Sequence, residues 1–318
     1  MAQSADMAEG AAPKVRIPFW MRLKAWWDGH ELTVREKQRT PYEMGDLSQD
    51  NVRYDSPEWA SKRIEIMQEI WGKGMAGPGD AAYILKLVKP FALDPAFTVI
   101  DVGAGLGGPA RAISEHFDIW ITGLESDREI ADAGMNLSTM AGLGKRAPVH
   151  YFDPDHYEFH EATIDCVFSK EALYLVEDKR RLLIEIINMI KHRGQLLFTD
   201  YVVAEGAPAK ELQAWMRGEP VPPHPWTQKQ YEEALTEAQL DVRIKEDITD
   251  EVYKIITANW SDFLSSLKGR ELDPPTSHAI SEAVELWTRR TRAIEAGVLK
   301  LCRFHALKKN AEKLLSDW

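Results

Sequence analysis

The sequence is poor in cysteine, in long apolar runs and in positive charge. Cys166 and Cys302 are its only cysteines, too few for a disulfide framework or a thiolate metal cluster. Cys166 stands inside an apolar strand pattern and reads as a small buried hydrophobe. No stretch reaches the roughly 18 apolar residues of a membrane-spanning helix, and no apolar signal core opens the chain. A cytoplasmic location is therefore expected. Lys and Arg number 39 against 50 Asp and Glu, a net charge of −11, which lacks the basic footprint of a nucleic-acid binder. The histidines are scattered without ligand spacing, so no metal site is expected.

Against these absences stands one glycine-rich stretch. Thr98-Val99-Ile100-Asp101-Val102 is a β-branched run ending near an acid, and Gly103, Gly105, Gly107 and Gly108 follow at once. Pro109 and an apolar pattern then open a helix. A strand, a glycine turn and a helix N-terminus form the cradle in which open α/β sheets hold an adenine-containing cofactor. Glycine permits the tight turn, and the helix end presents unpaired N–H groups. The segment 118–124 predicts a second strand, and Glu125 at its end is placed to accept ribose hydroxyls. Dinucleotides and S-adenosylmethionine both use this geometry.

Further landmarks follow in order: Asp153 after a third strand, Phe168-Ser169-Lys-Glu171-Ala-Leu at the end of a fourth, and Leu196-Leu-Phe-Thr-Asp200-Tyr201 at the end of a fifth. In order and spacing, residues 80–205 resemble the class I S-adenosylmethionine-dependent methyltransferases. The flavour is that of small-molecule enzymes such as the phosphoethanolamine, sarcosine and sterol methyltransferases. The resemblance implies an α/β fold: a Rossmann-like, seven-stranded, mostly parallel sheet with helices on both faces, an N-terminal helical lid and a C-terminal helical insertion. It implies S-adenosylmethionine as cofactor, bound by Asp101, Gly103, Gly105, Gly107, Glu125 and Ser169. Asp153 would meet the adenine amino group, with Asp155 a near competitor. Many relatives carry a histidine near the position of Leu175, and this chain has none between His160 and His192. Glu171 and Tyr174 remain as the catalytic candidates there, with Asp200 and Tyr201 as acceptor contacts. An upstream tyrosine that closes over the cofactor in relatives would here be Tyr54.

The flanks are less regular. Residues 1–13 lack periodicity and predict disorder. Residues 14–36 predict a basic helix carrying Trp20, Trp26 and Trp27; packed on the domain it would be part of a lid, and on an anionic surface it would be a peripheral membrane contact. The lid is expected to span 14–79, the cofactor core 80–205 and the acceptor cap 206–318. The proline-rich segment 206–226 reads as an irregular connection, followed by helix 227–238, strand 241–247, helices broken at Asp273-Pro-Pro275 and a last strand 299–307.

A methyl group on a sulfonium is already activated, so the protein need mainly align the acceptor and exclude water. Glu171, Tyr174, Asp200 and Tyr54 suit an amine or a developing cation, and methyl transfer to a small or lipid-linked amine is the favoured reading. The alternatives are carbon methylation of a sterol-, hopanoid- or quinone-like lipid, a nicotinamide-dependent oxidoreductase, and a non-catalytic cofactor-binding protein. The oxidoreductase lacks a convincing nicotinamide half-site.

Overall fold

The computed structural model describes residues 57–157 and 159–309. The chain divides into Met1–Tyr54 and Asp55–Trp318, and the fold below is that of the second unit. Tyr54 and the tryptophan-bearing segment 14–36 lie outside the described residues.

Two helices precede the sheet, α1 (Pro57–Trp71) and α2 (Ala81–Leu87), the latter capped by the Asp80 side chain. The alternating part follows as β1 (Thr98–Val102), α3 (Gly108–Phe117), β2 (Trp120–Glu125), α4 (Arg128–Met140), β3 (Val149–Tyr151) and β4 (Ile164–Lys170). A 3₁₀ turn, Leu173–Leu175, leads into α5 (Lys179–Met189) and β5 (Ile190–Val203). Beyond it lie α6 (Ala209–Met216), α7 (Gln228–Glu237), β6 (Leu240–Asp247), α8 (Thr249–Ser266), α9 (Pro274–Glu295) and β7 (Leu299–Lys308).

The seven strands form one sheet in the order β3-β2-β1-β4-β5-β7-β6. The pairs among β1 to β5 are parallel, and β7 runs antiparallel to both β5 and β6. The expected mostly parallel, Rossmann-like sheet is present. Its central strands read as continuous apolar runs because both of their faces are covered. The apolar side of α5 shows the same logic at helical spacing: Leu182, Leu183, Ile186 and Ile187 are all buried. Phe198 of β5 stacks on Phe304 of β7 with ring centres 4.8 Å apart.

The structure departs from the sequence expectations at β5 and in the proline-rich connection. The sequence pattern predicts a tight link at His192-Arg-Gly194 and a fifth strand over Gln195–Thr199, but β5 begins at Ile190, so 192–194 is strand. Register shifts between the β4 partners Ile164 and Cys166, and Arg193 has φ of 65°. This irregularity absorbs the extra residues without ending the ladder. The proline-rich connection also contains α6, since the good helix formers Ala209 to Met216 follow Pro208. Its Trp215 is buried.

Helix α1 packs on α8 and α9. Trp71 meets Trp287 at 4.4 Å and Trp260 edge-on at 6.5 Å, and Asn259 donates to the Ile70 carbonyl at 3.0 Å. Segments from the two ends of the described chain thus form one helical layer.

Candidate active site

The site starts with the turn after β1. Gly103, Gly105 and Gly107 all have positive φ, between 55° and 77°, a region that a side chain would strain. Space is equally limiting, because a Cβ on Gly103 would lie 2.0 Å from the Ala172 Cβ, and one on Gly108 would lie 2.4 Å from the Gly74 carbonyl oxygen. Gly107 caps α3 in the left-handed conformation. The Gly103 and Ala104 amides both donate to the Leu124 carbonyl, at 2.8 and 3.0 Å, which pins the turn to β2.

Glu125 closes β2 as expected. Its carboxylate accepts from the Gly105 amide at 2.8 Å and the Asp127 amide at 2.9 Å, one on each oxygen. The Ser126 hydroxyl lies a long 3.4 Å from the oxygen that the Asp127 amide bonds. With two lone pairs on each oxygen, Oε2 keeps one for a hydroxyl group and Oε1 can exchange the weak Ser126 contact for a second. Burial pushes the Glu125 pKa up, and the Asp127 and Gly105 amides oppose the rise.

Asp101 and Ser169 sit on the neighbouring strands β1 and β4, where Asp101 pairs with Phe168 and Val102 with Ser169. Asp101 is 1 % exposed and Ser169 0 %. Neither Asp101 carboxylate oxygen nor the Ser169 hydroxyl has a hydrogen-bond partner among the described residues. Burial, reinforced by Glu125, raises the Asp101 carboxyl to about 7, while Lys170 pulls it down. Buried polar groups are ordinarily satisfied, and an orphaned carboxylate beside a glycine turn fits a cationic or hydrogen-bond-donating ligand group.

The segment 72–79 covers this turn. Arg111 fastens it there, donating to the carbonyls of Leu106 at 2.8 Å and Gly74 at 3.3 Å and to the Ser138 hydroxyl at 3.1 Å. Asp153 follows β3 and lies at the surface, accepting from the Asp155 amide at 3.0 Å and meeting His156 Nδ1 at 2.8 Å. The His156 contact, with the Asp155 amide, lowers its pKa.

The second half of the site lies past β4. Glu171 has φ of 47°, a strained conformation for a residue with a side chain. Its amide donates to the Thr199 carbonyl at 2.7 Å, and its carboxylate accepts from the Thr199 hydroxyl at 2.8 Å and pairs with Lys170. Tyr174 is buried, its ring 5.1 Å from that of Tyr201 and 6.2 Å from that of Trp215. The Tyr174 hydroxyl accepts from Arg290 Nη2 at 2.9 Å. Arg290 also grips the Glu219 carboxylate with two hydrogen bonds of 2.9 and 2.6 Å, and Trp215 Nε1 donates to the same carboxylate at 2.8 Å. Burial pushes both the Tyr174 and Tyr201 phenols above their usual range, and the Arg290 charge opposes this.

Asp200 and Tyr201, expected at the end of β5, lie inside it, because β7 pairs with the strand as far as Val203. Neighbouring strand residues face opposite ways, and these two have separate surroundings. Tyr201 joins Tyr174, with the Arg290 guanidinium 5.5 Å over its ring, whereas the Asp200 carboxylate accepts from the Tyr231 hydroxyl.

Sequence reasoning missed Lys170, Glu219 and Arg290. Only the first adjoins a recognised motif. Glu219 sits in a proline-rich connection and Arg290 in a long helix, and their pairing appears only when α9 packs beside α6.

Residues 100–198 match the family described as a methyltransferase domain. Phosphoethanolamine N-methyltransferase 1 of Triticum aestivum is 24% identical over 266 residues, covering 81% of this chain and 50% of the relative. The dimethylglycine N-methyltransferase of Parasynechococcus marenigrum is 28% identical over 174 residues, covering 52% of this chain and 60% of its own length. The chain thus spans about half the length of the wheat relative. Among solved structures, phosphoethanolamine N-methyltransferase 2 of Haemonchus contortus, in complex with S-adenosyl-L-methionine, superposes with a TM-score of 0.69 at 19% identity, covering 81% of this chain and 59% of that one. Residues 100–198, which hold the glycine turn and Glu125, therefore form a methyltransferase domain, and the chain shares the fold of the solved methyltransferase.

Proposed function

We propose that the protein transfers a methyl group from S-adenosylmethionine to an amine nitrogen of a small acceptor. One observation carries the cofactor half: the glycine turn and Glu125 converge with Asp101 and Ser169, two buried groups without hydrogen-bond partners among the described residues. Glu125 would take the ribose hydroxyls, Asp101 an ammonium and Ser169 a further polar group, with Asp153 at the rim toward the adenine. When bound, S-adenosylmethionine supplies a methyl carbon whose bond to sulfur breaks as its bond to the acceptor nitrogen forms.

The acceptor, an ammonium at neutral pH, must give up one proton to present the lone pair that takes the methyl group. Glu171 would accept that proton. Tyr174 and Tyr201 offer aromatic faces to an ammonium, and Arg290 and Glu219 hold the Tyr174 ring in place. Asp200 is turned to Tyr231 and contributes from behind this wall. The amine is favoured because the wheat and Parasynechococcus relatives are N-methyltransferases.

The test is calorimetric titration of the full chain with S-adenosylmethionine, S-adenosylhomocysteine and NADH. Turnover is then measured with ethanolamine, phosphoethanolamine, sarcosine and dimethylglycine as acceptors. Binding of the two sulfur nucleotides and methylation of at least one amine is the expected result. Turnover with none of these amines, or binding of NADH alone, overturns the reading.

A further inference from the structure

Lys179 is the first residue of α5, a position where a lysine normally reaches into water, yet it is 1 % exposed. Its ammonium donates to the carbonyl of Leu173 and, at 3.1 Å, to that of Val176. Those two carbonyls bracket the Leu173–Leu175 turn that carries Tyr174 and follows Glu171. Behind the same turn lies Asp200, fully buried, its carboxylate bonded to the Tyr231 hydroxyl. Lys179 and Asp200 feel each other's charge, and the Tyr174 backbone amide also acts on the Asp200 carboxyl. Burying a lysine and an aspartate is expensive unless each is compensated. Here the ammonium is spent on two backbone oxygens of one short turn.

That turn is also under constraint from the other side. Glu171 holds a positive φ, and the Ala172 Cβ sits where any side chain on Gly103 would have to go. A shift of the turn would move Glu171, Tyr174 and the wall of the glycine turn together. Strained conformations of this kind persist only where the surroundings over-determine them.

We infer that Lys179 and Asp200 are positioning residues that lock the 171–176 turn from behind and so hold Glu171 and Tyr174 in line for the acceptor. Tyr231 completes the lock through Asp200. The role rests on the methyl-transfer reading above, but the lock itself is a statement about the turn and can be measured without turnover.

The experiment compares wild type with Lys179→Met, Tyr231→Phe and the double variant of the full chain. It reads amide hydrogen exchange over 171–176, affinity for S-adenosylhomocysteine, and kcat and KM for whichever amine of the panel is methylated. Lys179→Met should speed exchange across the turn about tenfold or more, leaving β1 and β2 unchanged. It should lower kcat by about 10- to 100-fold, the scale of a misplacement near 1 Å, with acceptor KM and nucleotide affinity changed less than about threefold. Tyr231→Phe, which keeps the ring and removes one hydroxyl, should show the same pattern more weakly and covers the case in which Lys179→Met does not fold. The double variant should fall short of the summed effects, since both residues act on one turn. Unchanged exchange over the turn, or kcat and nucleotide binding falling together with the folded fraction, overturns the inference. A wild type that methylates none of the amines would defeat the function reading, while the exchange data would still decide whether the lock exists.

Discussion

The two halves of the site are made of different material. The cofactor half, from Asp101 to Glu125, is chiefly backbone: positive-φ glycines, amides bonded to Leu124, and one carboxylate pinned by two N–H groups. The half proposed for the acceptor is side chains, with Tyr174, Tyr201, Trp215, Glu219 and Arg290 brought from the 3₁₀ turn, β5, α6 and its end, and α9. A backbone site is intolerant of Cβ atoms but needs few particular side chains. A side-chain site fails when either member of a buried pair is removed.

The sharpest break of this contrast is Gly103→Val. Positive φ and the Ala172 contact at 2.0 Å should cost more than about 4 kcal/mol, seen as a lost or strongly lowered melting transition and no nucleotide binding. A well-folded variant that still binds S-adenosylhomocysteine would remove the backbone account of the cofactor half.

Arg290→Met should come next. It strands the Glu219 carboxylate, whose side chain is fully buried, at a cost of about 3–5 kcal/mol. Adding Glu219→Gln should restore much of the stability. Nucleotide affinity, measured at a temperature where each variant is folded, should stay within about threefold. A drop of about a hundredfold would show that the halves are not separable.

Glu125→Ala tests the side chain that closes the cofactor half at the end of β2. Losing two hydroxyl contacts to a charged acceptor is worth about 3 kcal/mol, or roughly a hundredfold in S-adenosylhomocysteine affinity. The acceptor half should be untouched, as read by unchanged exchange over 171–176.

Protons give a smaller, graded test. Asp101 is raised to about 7 in the folded chain from an ordinary carboxylate value near 3.8. With a folded pKa above the unfolded one, its contribution is fully favourable below about pH 4 and is lost as pH rises through about 7. A bound ammonium needs the ionised form. Binding should therefore release close to one proton at pH 6 and almost none at pH 8, with affinity about tenfold weaker at pH 6. Calorimetry in buffers of different ionisation heat reads the proton directly, and buffer-independent heats at pH 6 would show that Asp101 does not face the cation.

Least should change on Asp153→Asn. The residue is half exposed and already engaged with His156 and the Asp155 amide. A single contact at the rim should alter nucleotide affinity by less than about fivefold.

What could be read from the chain alone follows the same division. Local pattern sufficed for the β1 turn, since glycine has a conformational meaning that survives without neighbours. The cap of α7, Thr227, likewise bonds to its own helix. The seven-stranded, mostly parallel sheet was implied by resemblance and by the alternation of strand and helix, whereas its strand order emerged only in the fold. The ends of β5 were misjudged because pairing with β7, which is distant in sequence, extends the strand past Thr199. Asp200 was expected at the acceptor, and only the fold shows that its carboxylate accepts from the Tyr231 hydroxyl.

By itself, then, the sequence determined the glycine turn, Glu125 at the end of β2 and the apolar faces that build the sheet, because each depends on residues within a few positions of one another. Tertiary structure alone decided that Arg290 meets Glu219 and Tyr174, that Lys179 turns inward, and that Asp101 and Ser169 are left without partners among the described residues. Those outcomes depend on which buried groups packing brings within hydrogen-bonding reach and which it does not, and no local pattern encodes that distance.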